Sequence, residues 1–272
     1  MNNKEKILGK SVLHGRGVVG EVLHIIYEGK PPKVEVSPDI KLLTVVDKSA
    51  MYNATLSKSN IINNSVEFIV VNKYIKWISK VRGLYNFIKN NYENLPKYIL
   101  YLDASDTLII NDIQNPQEML DYYNCKVLFN SEPDFWHTGA QTPKDYPKYY
   151  DKLQTKIKNE YAEKNKSKYG LDNGHCFQSL NAGVFLGEKD FVFKLMGECL
   201  DLMNDDYHKG YPYGDTDDQL LLRYFHNKYF EDISIDLFHK SFFWGTSDSF
   251  KDKENTLSPD LLNNKRIKYE KI

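Results

Sequence analysis

From Lys41 onward, short apolar runs recur along the chain, each closed by a polar residue. Lys41-Leu-Leu-Thr-Val-Val46 ends at Asp47, and Val66-Glu-Phe-Ile-Val-Val71 repeats the pattern. Both are continuous and rich in β-branched residues, which predicts strands buried on two faces. Residues 75–90 then place apolar side chains at 77, 78, 81, 84, 85 and 88, a helical spacing, and Pro96 ends any helical continuation before the next strand. Tyr98-Ile-Leu-Tyr-Leu102 predicts a strand that delivers Asp103, and Lys126-Val-Leu-Phe129 one that delivers Asn-Ser-Glu-Pro133. Leu180-Asn-Ala-Gly-Val-Phe-Leu-Gly187 restarts the sheet, and residues 190–203 carry Phe191, Leu195, Cys199 and Leu202 on one helical stripe. A helix over 220–229 and a last alternating strand, Ile233-Ser-Ile-Asp-Leu-Phe-His239, complete the pattern. Strands alternating with helices predict an α/β domain with a largely parallel sheet.

The clearest break is Gly29-Lys30-Pro31-Pro32, a turn or linker. The expected organisation is an N-terminal appendage over 1–40, one domain over 41–250 and a C-terminal tail over 251–272. Residues 141–175, rich in Lys, Tyr, Asn and Gly, form a long irregular excursion of the kind that serves as a lid.

Composition narrows the function classes. Thirty-six Lys and Arg against thirty-seven Asp and Glu leave a formal charge of -1, so no general field draws the chain to nucleic acid or to an anionic membrane. Cys125, Cys176 and Cys199 lack CxxC spacing, against both a zinc cluster and a disulfide framework. No long apolar run follows the N-terminus, so neither a signal peptide nor a membrane anchor is expected, and a cytoplasmic location is.

Ligand sites in open α/β sheets gather at strand carboxyl ends, and here those ends carry Asp47, Asp103, Glu132 and His239. Asp103 and Asp106, three residues apart across a turn, can reach one hard cation, with a distant His completing the sphere beside diphosphate oxygens. The same residues also make a turn or a helix cap. His239, in register with Ile233, Ile235 and Leu237, is a ligand or a satisfied core residue. Asp215, Asp217 and Asp218 open a helix, where acids complement its dipole, yet three within four residues repel one another beyond what capping needs. One of them can act as catalytic acid or bind an acceptor hydroxyl. Asn181-Ala182-Gly183 allows close backbone approach or is simply a packing site. Glu132 with Trp136 pairs a carboxylate and an indole, as carbohydrate sites do, although Trp136 fits a core equally well.

Taken in order, several of these motifs resemble the glycosyltransferase domain of procollagen lysyl hydroxylases and related procollagen galactosyltransferases. The resemblance runs from about 41 to 245 through Lys80-Val81, Tyr98-Ile-Leu-Tyr-Leu-Asp-Ala-Ser-Asp106, Leu128-Phe-Asn-Ser-Glu132, Leu180 to Gly187, Asp217-Asp-Gln-Leu220 and Asp236-Leu-Phe-His-Lys240. It implies a GT-A fold, three-layer α/β/α with a mainly parallel mixed sheet, a UDP-sugar donor and Mn²⁺ or Mg²⁺. By resemblance the metal ligands are Asp103, Asp106 and His239. The donor contacts are Val46, Asp47, Lys80, Asp103, Ser105, Glu132, Trp136, Asn181, Ala182 and Gly183. Asp215, Asp217 and Asp218 correspond to the segment needed for transfer. The chain departs from the family before Lys80, reading Tyr74-Ile-Lys-Trp-Ile-Ser79, and none of its seven His forms a His-x-Asp or His-x-Glu pair, so no iron-dependent hydroxylase chemistry is expected.

The leading expectation is therefore hexose transfer, glucose or galactose, from a UDP-sugar to a hydroxyl of a protein, a glycan or a modified base. The alternatives are a non-catalytic module that binds a nucleotide sugar or glycan, and a metal-dependent phosphoester hydrolase. The hydrolase would want further His or Asp ligands near Asp103, and Ala104, Ser105, Thr107 and Leu108 supply none.

Overall fold

The computed structural model describes residues 10–15, 19, 27–48, 54–71, 78–132, 159–160, 163–164, 166–170, 179–204, 218–238 and 240–244. Its centre is a six-stranded sheet in the order β10-β8-β9-β6-β3-β5. The strands are β3 (Ile40–Asp47), β5 (Val66–Val71), β6 (Tyr98–Leu102), β8 (Val127–Glu132), β9 (Ser179–Glu188) and β10 (Ile233–Ile235). Five run parallel, and β9 alone is antiparallel to its neighbours β6 and β8. The fold is thus mixed α/β with a mostly parallel sheet, and the apolar runs of the sequence are its strands, buried except in β5, which lies at the sheet edge with half-buried residues and an exposed Val70 rather than burying both faces as its composition predicts. Ile99, Leu100, Tyr101 and Leu102 are all fully buried, as are Leu128, Phe129, Phe185 and Leu186.

Three helices, α1 (Ile78–Asn91), α3 (Lys189–Asn204) and α4 (Asp218–Lys228), pack on one another and against the sheet, while α2 (Pro116–Tyr123) packs against β8 and β9. Asn115 caps α2 through its side chain and Pro116 occupies the first turn, where a missing N–H costs nothing. None of the described helices is long and apolar enough to cross a membrane.

Two smaller sheets frame this core. Lys33–Val34 (β2) pairs with Asn60–Ile61 (β4). The other sheet places β1 (Val12–His14) between β7 (Thr107–Ile109) and β11 (Phe242–Trp244), antiparallel to the first and parallel to the second. Residues expected to be peripheral thereby supply the middle strand of a sheet that begins directly after Asp106. The alternation of Ile233, Ile235 and Leu237 extends toward His239, yet β10 closes at Ile235. Asp236 ends it: its buried carboxylate accepts the backbone N–H groups of Lys240, Ser241 and Phe242 and the hydroxyl of Tyr123, which turns the chain away from the sheet.

Candidate active site

The single antiparallel strand creates the site. Because β9 runs against β6 and β8, its first residues lie beside the last residues of those two strands: Val184 pairs with Leu102 and Asn181 with Asn130. The register between β8 and β9 shifts between Phe129 and Asn130, from Phe185 to Asn181, so Ala182, Gly183 and Val184 bow out of the β8 ladder. Such a bulge leaves backbone groups to be satisfied elsewhere. The Ala182 N–H donates to Gln219 Oε1 at 3.1 Å and the Gly183 N–H to Asn181 Oδ1 at 2.9 Å. The Ala182 carbonyl accepts from Lys80 Nζ at 3.2 Å and the Gly183 carbonyl from the Asp103 N–H at 2.7 Å. Side chains from α1 and α4 therefore hold the bulge open, and each is tied to it by sequence-distant partners.

Lys80 is the hub of the charged half. Its ammonium, buried at 3% exposure, lies 2.7 Å from Asp218 Oδ2 and 3.1 Å from Asp103 Oδ1. Tyr101 donates its hydroxyl to Asp103 Oδ1 at 2.8 Å, and the ammonium stands 5.2 Å over the Tyr101 ring. A cation so deeply buried is tolerable because two carboxylates and a carbonyl surround it. Asp218 begins α4, where its charge also complements the helix dipole.

The Asp103-to-Asp106 turn lies in front of this cluster. Ala104 packs with Val46 and Ala54 as a small apolar floor, and the Ala104 and Ser105 carbonyls accept from the Leu56 N–H and the Thr55 hydroxyl at 3.0 and 2.6 Å. The turn is pinned by its backbone, which leaves its carboxylates partly open to solvent: the Asp103 and Asp106 side chains are 22% and 26% exposed. His14, at the end of β1, brings Nε2 to 3.6 Å from Asp106 Oδ1, and Asn130 Nδ2 lies 3.3 Å from its Nδ1. Burial disfavours charge on His14, but the Asp106 carboxylate outweighs it and raises the imidazole pKa above its usual value. Burial likewise pushes Asp106 up, and His14 with Lys80 pulls it below the ordinary carboxylate range.

Gly183 makes this approach geometrically feasible. A Cβ there would stand 2.3 Å from His14 Cε1, 2.4 Å from Nε2 and 2.9 Å from Asp103 Oδ2. Only a residue without a side chain lets the imidazole and the Asp103 carboxylate close over the same stretch of backbone. His14, Asp103 and Asp106 each present one ligand atom, all within 4.8 Å of one another. Two carboxylates and an imidazole form a donor set that fits Mn²⁺, and less well the all-oxygen preference of Mg²⁺.

Behind the bulge lies a second, closed network. Glu132 Oε1 accepts from Arg223 Nη2 and Gln219 Nε2, each at 2.6 Å, and Oε2 accepts from Asn181 Nδ2 at 2.8 Å. Arg223 Nε donates to the Leu180 carbonyl at 3.1 Å. Burial pushes Glu132 up to about 7, against the pull of Arg223. Gln219 and Arg223, four residues apart on one face of α4, couple that helix to β8 and β9.

Of the residues singled out in the sequence, Lys80, Asp103, Ser105, Asp106, Asn181, Ala182, Gly183 and Asp218 meet at this sheet edge, and Glu132 stands directly behind it. Val46 is buried under the turn and Asp47 is half-buried at the end of β3. Trp136, Asp215, Asp217, His239, the tail over 251–272 and most of the excursion over 141–175 lie outside the described residues. Where the excursion is described, Lys164 donates to the Asn227 carbonyl and Lys168 to that of Phe230. No role was expected for His14, Tyr101, Asn130, Gln219 or Arg223. The i, i+4 spacing of Gln219 and Arg223 and the i, i+2 spacing of Tyr101 and Asp103 were available signals, whereas nothing local marks His14. No protein-family model matches the chain and no curated protein matches it.

Proposed function

We propose that this chain is a metal-dependent glycosyltransferase of the GT-A type, moving glucose or galactose from a UDP-sugar to an acceptor hydroxyl. The observation that carries this reading is the meeting of Lys80, Asp103, Asp106, the Asn181–Gly183 run and Asp218 at one carboxyl edge of a mostly parallel sheet. Ligands of open α/β sheets bind at that edge. Asp103 and Asp106 would hold a divalent cation, Mn²⁺ or Mg²⁺, which would supply positive charge against the diphosphate.

The residues of the chain orient the reactants. Lys80 pairs with both Asp103 and Asp218 and so ties the donor-side turn to the start of α4. Asp218, paired with the Lys80 ammonium at 2.7 Å, serves as a hydrogen-bond acceptor for the incoming hydroxyl. Asp215 and Asp217 are left to receive its proton. The acceptor is a protein side chain, a glycan or a modified base, the last disfavoured by the near-neutral charge.

The test is UDP release from UDP-glucose and UDP-galactose with Mn²⁺. Release that EDTA stops and that Asp103→Asn lowers at least a hundredfold supports the proposal. No release from any common UDP-sugar with either cation overturns it, and liberation of inorganic phosphate in its place assigns hydrolysis.

A further inference from the structure

The β11-β1-β7 sheet brings an unexpected residue to the carboxylate turn. β1 lies between β7 and β11 and keeps those two strands apart, and its last residue, His14, stands in register with Thr107, the residue after Asp106. The alignment is fixed at both edges: the Gly15 N–H donates to the Asp106 carbonyl at 2.9 Å, and the Val12 N–H to the Ser241 carbonyl at 3.2 Å. An imidazole on this strand end has little freedom to be anywhere but beside the turn.

Three further observations bear on its role. The His14 side chain is 6% exposed, with Nδ1 against Asn130 and Nε2 turned toward the carboxylates. The 3.6 Å from Nε2 to Asp106 Oδ1 exceeds a good hydrogen bond, while two ligands of one ion are commonly about 3 Å or more apart, given metal–ligand distances of about 2.1 Å. Nε2 and Asp103 Oδ2 both approach the bare face of Gly183, at 2.4 and 2.9 Å from where a Cβ would stand, so two elements converge on one small space. A merely structural histidine has no need of a glycine that admits a carboxylate beside it.

From this geometry we infer that His14 is the imidazole ligand of the cation held by Asp103 and Asp106, so the N-terminal strand is part of the metal centre. The inference rests on the metal-dependent reading of the cleft and assigns to β1 what the sequence had assigned to His239. Two carboxylates and one imidazole would leave further coordination positions to oxygens of a ligand.

Mn²⁺ titration of the full chain, followed by electron paramagnetic resonance, tests it. The free-ion signal should fall on binding, with ¹⁴N modulation in the pulsed spectrum. His14→Ala should weaken binding at least tenfold and abolish that modulation, His14→Asp should restore affinity without it, and His239→Ala should keep it. If His14→Ala binds Mn²⁺ as well as the unaltered chain, or better, His14 is not a ligand, though the metal-dependent reading stands. If the unaltered chain binds no Mn²⁺, both fall. Should His14→Ala lose its folded near-ultraviolet dichroism, His239→Ala decides alone: modulation kept supports His14, and modulation lost overturns it.

Discussion

Carboxylates at the same sheet edge live under opposite conditions. Glu132 is buried at 2% exposure and accepts three hydrogen bonds, from Arg223, Gln219 and Asn181. Asp103 and Asp106 are about a quarter exposed and lie on a turn whose backbone is pinned, with Asp103 meeting Lys80 and Tyr101 through Oδ1 alone. A carboxylate saturated with protein donors holds structure together; one with coordination to spare, facing a cleft, is available to a ligand. Polar satisfaction separates the two roles more sharply than proximity does.

Removing the guanidinium is the most severe way to break this contrast. Arg223→Met strands Glu132 in the interior and should cost about 3–5 kcal/mol of unfolding free energy in urea, because an unpaired buried charge remains. A loss below 1 kcal/mol would mean that the closed network is not what holds α4 to the sheet. Next comes Gly183→Ala, whose Cβ would meet the His14 ring. Overpacking of this kind should cost about 1–3 kcal/mol and displace the imidazole, so Mn²⁺ affinity should fall with stability.

The pH dependence also distinguishes the groups. Glu132, raised to about 7 in the folded chain, binds a proton more tightly there than when unfolded. Its contribution to stability is fully present below the ordinary carboxylate pKa and is lost as pH rises toward 7, at up to about 1.4 kcal/mol per pH unit. Glu132→Gln should flatten urea-unfolding free energies between pH 5 and 7.5. The smallest effect on stability belongs to Asp103→Asn, about 1 kcal/mol or less, since Lys80 keeps Asp218 and the Ala182 carbonyl. It should nonetheless abolish Mn²⁺ binding. A large stability loss there, with metal binding intact, would reverse the assignment of the two groups.

The same contrast explains what the sequence disclosed. Strands announce themselves as continuous apolar runs, and β3, β5, β6 and β9 fall within a residue or so of where Lys41, Val66, Tyr98 and Leu180 begin those runs. Asp103, Asp106 and the Asn181–Gly183 run were legible because each lies next to such a strand. β1 and β7 are three residues each, too short for any period to register, and their pairing depends on partners far away in the chain. His14 was hidden for that reason. Glu132 was visible as a carboxylate, but its closed environment depends on Arg223 from a different element, which no local pattern reveals.

Val12 pairs with Phe242, so the strand that carries His14 takes one of its two neighbours from the opposite end of the described chain. During synthesis the ribosome delivers β1 first and β11 last. Until Trp244 has emerged, β1 has only β7 to hold it, and the imidazole is not yet locked beside Asp106. The carboxylate turn can therefore be assembled early, but the completed cleft belongs only to a chain translated past that strand.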